Sequence, residues 1–228
     1  MTTVWLLDLD NTLHDAMPIV FPRINRAMTD YVARRLSLSA AEADALRMHY
    51  WRRYGATLLG LVRHHGIDAH EFLRETHPFP DIDRIVRRRH RLIAALRRLR
   101  GRRVVVTNAP RDYAERVVAA LGIAPWIDGL VSIESMRFAG RLRPKPSRAQ
   151  LRQLAAQLRV PPSRCVLVED SVANLEAARA VGMRTVLVTG IGHSHRHPAE
   201  RPRAGAGRHA DVQVHEFAQL LRRMPGRR

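Results

Sequence analysis

Val4-Trp5-Leu6-Leu7-Asp8-Leu9-Asp10-Asn11-Thr12-Leu13 begins as an unbroken apolar run and passes abruptly into two carboxylates. A strand buried on both faces of a parallel sheet has no solvent-facing positions, so it reads as a continuous apolar run and not as an alternation. Four more stretches share this character: Val104-Val105-Val106, Leu130-Val131-Ser132-Ile133, Val166-Leu167-Val168 and Thr185-Val186-Leu187-Val188. Enough chain separates each from the next for a helix or a long crossover, and helical periodicity fills three of the gaps, at 110–121, 146–158 and 171–181. Gly122 and Gly182 stand after the first and third of these as stop signals. Alternation of strand and helix predicts an α/β fold, a doubly wound and mostly parallel sheet. Val212-Gln213-Val214 and a helix-like segment at 216–223 would close it.

One region interrupts the alternation. Residues 15–80 hold no strand pattern but four helical ones, at 19–38, 40–54 with Ser39 as N-cap, 58–65 and 69–75. This predicts an all-helical subdomain inserted after the first strand, with 1–14 and 81–228 forming the α/β core. Pro78-Phe79-Pro80 punctuates its end. The stretch 193–209, rich in His, Arg, Pro, Gly and Ala, is expected to be a mobile loop, and the spacing of His193, His195 and His197 without an acidic partner argues against a transition-metal site there.

The 228 residues suffice for one large core or a main domain carrying a smaller one. With only 5% aromatic residues, that core must be built from Leu, Val, Ile and Ala. Cys165 has no second cysteine to pair with and lies inside an apolar run, so it reads as a small buried hydrophobe. No stretch approaches the roughly 20 apolar residues of a membrane span, and residues 1–7 lack the basic start of a signal peptide, so a cytoplasmic location is expected. The net charge of +18 raises the question of nucleic acid, because clustered cations bind phosphates by releasing counterions. Every one of the 39 basic residues except Lys145 is an arginine, and they are scattered over most of the helical patterns. That distribution reads as a compositional preference displayed on solvated helix faces and argues against specific nucleic-acid binding.

Ligands of an open α/β sheet bind beyond the carboxyl ends of its strands. The residues that follow the apolar runs are Asp8 and Asp10, then Thr107 and Asn108, then Glu169 and Asp170. Carboxylates brought together repel one another unless a cation lies between them. An all-oxygen donor set suits a hard divalent ion, and Mg²⁺ suits a site that also receives phosphate. Ser171, just before a helical pattern, reads as an N-cap more than as a reacting group. The sole lysine would fall at position 145 by chance once in 39 draws, and an ammonium is a compact point charge that a planar guanidinium does not replace in a tight site.

Asp8-Leu9-Asp10-Asn11-Thr12-Leu13, Val105-Val106-Thr107-Asn108, Lys145, and Val168-Glu169-Asp170-Ser171 with Asn174, in this order, resemble the four motifs of the haloacid dehalogenase superfamily. The resemblance implies a Rossmann-like catalytic core, with residues 15–80 as a helical cap of the first type. It further implies an Mg²⁺-dependent phosphatase that forms an aspartyl-phosphate on Asp8. Asp10 would protonate the leaving oxygen and then deprotonate the attacking water, its backbone carbonyl binding the metal. The superfamily's dehalogenases lack this second aspartate. Thr107 and the backbone amide of Asn108 would hold phosphoryl oxygens, and Lys145 would neutralise charge on nucleophile and phosphoryl group. Asp170 would ligate the metal beside Asp8, with Glu169 as a direct or indirect partner. Many relatives carry Asp in place of Asn174, whose role would be to hold a metal-bound water.

The segment 54–61, with His65-Gly66-Ile67-Asp68 and Glu71-Phe72-Leu73, further resembles the cap of the pyrimidine 5′-nucleotidase branch, as do Leu121-Gly122-Ile123, Asp128-Gly129 and Pro144-Lys145-Pro146. That branch usually has Asp where this chain has Glu169. The expected substrate is therefore a small phosphate monoester, UMP or CMP, with sugar phosphates or phosphoglycolate as the alternative. A protein that keeps the fold without turnover and binds polyanions is the reading from a different class; it predicts tight RNA binding that falls steeply with salt.

Overall fold

A computed structural model describes residues 2–191 and 210–223, and every structural statement below concerns these residues. The segment 193–209, with its three alternating histidines, lies outside them.

Eight strands occur: β1 (Val4–Leu7), β2 (Arg102–Val106), β3 (Gly129–Val131), β4 (Arg137–Phe138), β5 (Arg141–Leu142), β6 (Cys165–Glu169), β7 (Arg184–Val188) and β8 (Val212–Val214). Six form one sheet in the order β3-β2-β1-β6-β7-β8, every pairing parallel. β1 is thus central, and the chain winds outward from it on both sides, so the switch point lies at its carboxyl end. The apolar runs follow from this placement: all of β1 and all of β6 are buried. Leu7 lies level with Val105 on one side and Val168 on the other, so the residues that follow these three strands emerge at the same edge.

The chain falls into two compact units. The first comprises Met1–Met17 and Ile82–Arg228. Its helices include α7 (Arg111–Ala120), α8 (Arg148–Gln157) and α9 (Val172–Ala180), which alternate with the strands, and the short α10 (Leu220–Arg223). Val4, Leu6, Val104, Val106 and Leu167 form one cluster with Leu151 and Leu154 of α8 and Leu175 and Ala178 of α9. Each of these Val and Leu side chains contributes about 1.5–3 kcal/mol through burial. Cys165 belongs to the same cluster, and burial pushes its thiol up to about 11, which leaves it an inert hydrophobe.

The second unit, Pro18–Asp81, is all-helical: α1 (Val20–Leu36), α2 (Ala40–Tyr54), α3 (Thr57–His65) and α4 (Ala69–Thr76). α2 starts at a full capping box, the Ser39 hydroxyl accepting from the Glu42 amide while the Glu42 carboxylate accepts from the Ser39 amide. Asp68 caps α4 in the simpler way. Tyr31 meets Phe72 edge-on at 5.2 Å, and Arg34–Glu75 and Arg35–Glu71 ion pairs join α1 to α4 along the surface. Two further helices, α5 (Ile82–Ile85) and α6 (His90–Arg98), lead back to β2.

One local expectation needs correction, and two details add to the rest. The run 130–133 is only partly strand, because the Ile133 amide leaves the ladder to donate to the Ala109 carbonyl and the chain tightens into a 3₁₀ turn. The hairpin of β4 and β5 was not anticipated; its two-residue loop, Ala139-Gly140, has both φ angles positive, at 50° and 75°. Ser171 does occupy the N-cap of α9, but its side chain makes no capping hydrogen bond. No described helix is long and apolar enough to cross a membrane.

Candidate active site

The loop after β1 is held open by its own sequence. Leu9 and Leu13 are buried and linked by a hydrogen bond from the Leu13 amide to the Leu9 carbonyl. Asn11 between them sits at φ 61°, a left-handed conformation that asparagine tolerates, and its side chain accepts from the Ala16 amide. This turn places Asp8 at the strand tip, its amide still bonded to the Val168 carbonyl of β6 at 3.0 Å.

Both oxygens of Asp8 are engaged. Lys145 Nζ donates to Oδ1 at 2.5 Å, and the Thr12 hydroxyl donates to Oδ2 at 2.8 Å. The same ammonium donates to Glu169 Oε2 at 2.8 Å, while Glu169 Oε1 accepts from the Ser171 amide. Lys145 is 3% exposed and thus bridges two buried carboxylates from different strands. Its backbone is fixed by Asn108, whose side-chain amide donates to the Lys145 carbonyl and accepts from the Lys145 amide. Thr107 is buried at the end of β2, its hydroxyl accepting from the Ala109 amide. Asp8, Glu169 and Asp170 each bring a carboxylate oxygen within 4.8 Å of the others. The Asp10 carboxylate is not in this group; its Oδ1 accepts from the Tyr113 hydroxyl at 2.6 Å and lies 2.8 Å from His14 Nε2. Asn174 is half-buried within α9.

The charges are unequal. Burial, and then repulsion from Glu169, push the Asp8 carboxyl up to about 7 despite the neighbouring ammonium. Burial pulls in the opposite sense on Lys145, but the Asp8 and Glu169 carboxylates together outweigh it and hold the amine charged. One ammonium serves more than one carboxylate, so the repulsion left over disfavours charge on Asp8 and adds to the effect of its burial. Burial, followed by the charge of Asp10, keeps Tyr113 a protonated phenol and hence a donor.

A family profile described as haloacid dehalogenase-like hydrolase matches residues 3–182. The chain belongs to this family. The haloacid dehalogenase-like hydrolase described here is 30% identical over 197 residues to the Cupriavidus necator protein named "Phosphoglycolate phosphatase, plasmid", a match covering 82% of this chain and 80% of that one. It is 27% identical over 186 residues to an N-acetylmuramic acid 6-phosphate phosphatase of Pseudomonas aeruginosa, covering 82% and 68% respectively. A haloacid dehalogenase-like family protein from Streptococcus pneumoniae superposes with a TM-score of 0.63 at 16% identity over 98% of both chains, which shows the shared fold.

The hydrolase's acidic cluster fits a metal on its own evidence. Its donors are all hard oxygens, and they lie close enough to share one ion. Three contributors escaped the sequence reading: Thr12, His14 and Tyr113. Thr12 and His14 stand four residues after Asp8 and Asp10, a spacing that carries no meaning until the loop's turn is known. Tyr113 is 103 residues from Asp10 and its sequence context gives no sign of the contact.

Proposed function

We propose that this hydrolase is an Mg²⁺-dependent phosphatase that transfers phosphate to Asp8 and then to water. The observation that carries the proposal is Lys145, buried between Asp8 and Glu169 with Asp170 beside them. A carboxylate at the tip of the central strand can attack phosphorus in line and form an acyl phosphate, which divides a difficult hydrolysis into two easier steps. Asp10 gives its proton to the departing oxygen and recovers one from the water that cleaves the acyl phosphate. The Thr107 hydroxyl and the Asn108 amide hold phosphoryl oxygens, and the Asn108 side chain keeps Lys145 in register with them. Asp8, Asp170 and the Asp10 carbonyl, with Glu169 close by, would hold Mg²⁺, which supplies positive charge against the nucleophile and phosphoryl group. Glu169 offers Oε2 to Lys145 and Oε1 to the Ser171 amide, and would take part in holding the ion directly or through these partners.

The substrate class is small phosphate monoesters, with phosphoglycolate and sugar phosphates placed first because relatives matched over 82% of this chain carry such names. The second reading, UMP or CMP, rests on the resemblance of segment 54–73. Within the helical unit much of that segment serves packing: Leu58, Leu61 and Phe72 are buried, and Gly60 lies against the Tyr50 ring. Phosphate release from 2-phosphoglycolate, hexose phosphates, N-acetylmuramic acid 6-phosphate, UMP and CMP, for wild type and Asp8→Asn with and without Mg²⁺, tests both levels. Turnover should vanish in the variant and on chelation while the fold survives. A nucleotide turned over best would reinstate the nucleotidase reading; an active Asp8→Asn enzyme would remove the mechanism.

A further inference from the structure

Tyr113 and His14 have no part in the reaction as described, yet both converge on one oxygen of Asp10. The Tyr113 hydroxyl donates to Oδ1 at 2.6 Å and His14 Nε2 lies 2.8 Å from the same atom. They reach it from separate parts of the core: His14 from the loop after β1, and Tyr113 from the first turn of α7. Each is 3% exposed, so both polar groups have given up water to make this contact. An aspartate on a loop has two side-chain torsions free to turn, and two hydrogen-bonding partners mounted on buried, packed residues remove that freedom. Such restraint matters most for a group that must meet one atom of the substrate, because a misplacement of about 1 Å can cost about 10²-fold in rate.

We infer that Tyr113 and His14 are positioning residues that hold the Asp10 carboxyl in the orientation from which it protonates the leaving oxygen. The inference rests on the proposed roles of Asp8 and Asp10. A purely structural tether between α7 and the loop would affect all substrates alike. Positioning of a proton donor affects them according to the leaving group, because a basic alkoxide needs a proton in order to leave and a nitrophenolate hardly does.

The experiment compares kcat/KM for a simple alkyl phosphate and for p-nitrophenyl phosphate in wild type, Asp10→Asn, Tyr113→Phe, His14→Gln and His14→Leu. This parameter reports only the steps up to departure of the leaving group, so the later attack of water does not enter it. Asp10→Asn should lower the alkyl ester by about 10²–10⁴-fold and the aryl ester far less. Tyr113→Phe and His14→Leu should repeat that pattern on a smaller scale, about 10-fold against less than about 3-fold, with KM for the alkyl ester nearly unchanged. His14→Gln, which keeps an N–H donor, should recover most of the loss. Equal losses on both esters, or none, in Tyr113→Phe while Asp10→Asn discriminates would overturn the inference and leave the phosphatase reading intact. An Asp10→Asn enzyme that does not discriminate would refute the proton-donor role itself, and the positioning role with it.

Discussion

Lys145 occupies a slot that admits one kind of side chain. Its ammonium meets Asp8 at 2.5 Å and Glu169 at 2.8 Å in a space from which water is excluded. A guanidinium has its donors spread in a plane and cannot make both contacts without displacing one carboxylate. Lys145→Arg should therefore fold and lose most turnover, as phosphate-release assays will show. Lys145→Met removes the counter-charge altogether and should cost about 3–5 kcal/mol in urea melts of the metal-free protein, since breaking a buried pair leaves its partner uncompensated. Asp8 yields a prediction with a definite sign. Its carboxyl is raised from 3.8 to about 7 on folding, so its contribution to metal-free stability is full below pH 4 and is lost as pH rises through about 7. In EDTA, Asp8→Asn, which lacks this group, should gain in melting temperature relative to wild type between pH 5 and pH 8. Added Mg²⁺ should reduce that gain at pH 8. A difference that stays flat with pH would contradict the assignment.

Gly60 shows what the helical unit requires of its sequence. A Cβ built on it would lie 2.1 Å from Tyr50 Cγ, an atom near the root of the side chain that cannot swing away. Gly60→Ala should thus cost about 1–3 kcal/mol through overpacking, despite alanine's better helix propensity, measurable as a lower urea midpoint. The helices were legible because their signals are local: Ser39 stands as N-cap just before α2, and the structure adds the reciprocal Glu42 bond that the sequence reading did not use. The buried strands were legible for a similar reason. β4 and β5 were not, since two residues each of Arg-Phe and Arg-Leu carry no periodicity and their pairing depends on two positive φ angles. The stretch around Gly60, from which a nucleotidase-like cap was expected, consists largely of buried leucines and a tightly packed glycine, which helix packing alone would also select.

Across the α/β unit, the parallel order β3-β2-β1-β6-β7-β8 brings the ends of β1, β2 and β6 to a common edge, where the proposed site residues other than Lys145 stand as the apolar runs stop. That edge could be read from sequence because a buried strand and its polar terminus are adjacent in the chain. The partners of Asp10 could not, because Tyr113 reaches it only after the crossover through α7 has folded. The basic character of the chain is dispersed, with Arg23 and Arg34 of α1, Arg47 of α2, Arg103 of β2 and Arg111 of α7 each paired to an acid, so RNA binding at physiological salt should be weak in a filter-binding or anisotropy assay. The central claim is that Asp8 carries the phosphate, and acid quenching during turnover of a ³²P-labelled monoester tests it most directly. Borohydride reduction of the trapped adduct followed by mass mapping should place homoserine at position 8 and nowhere else. Label recovered on a different residue, or a full burst of leaving group with no protein-bound phosphate, would contradict the account.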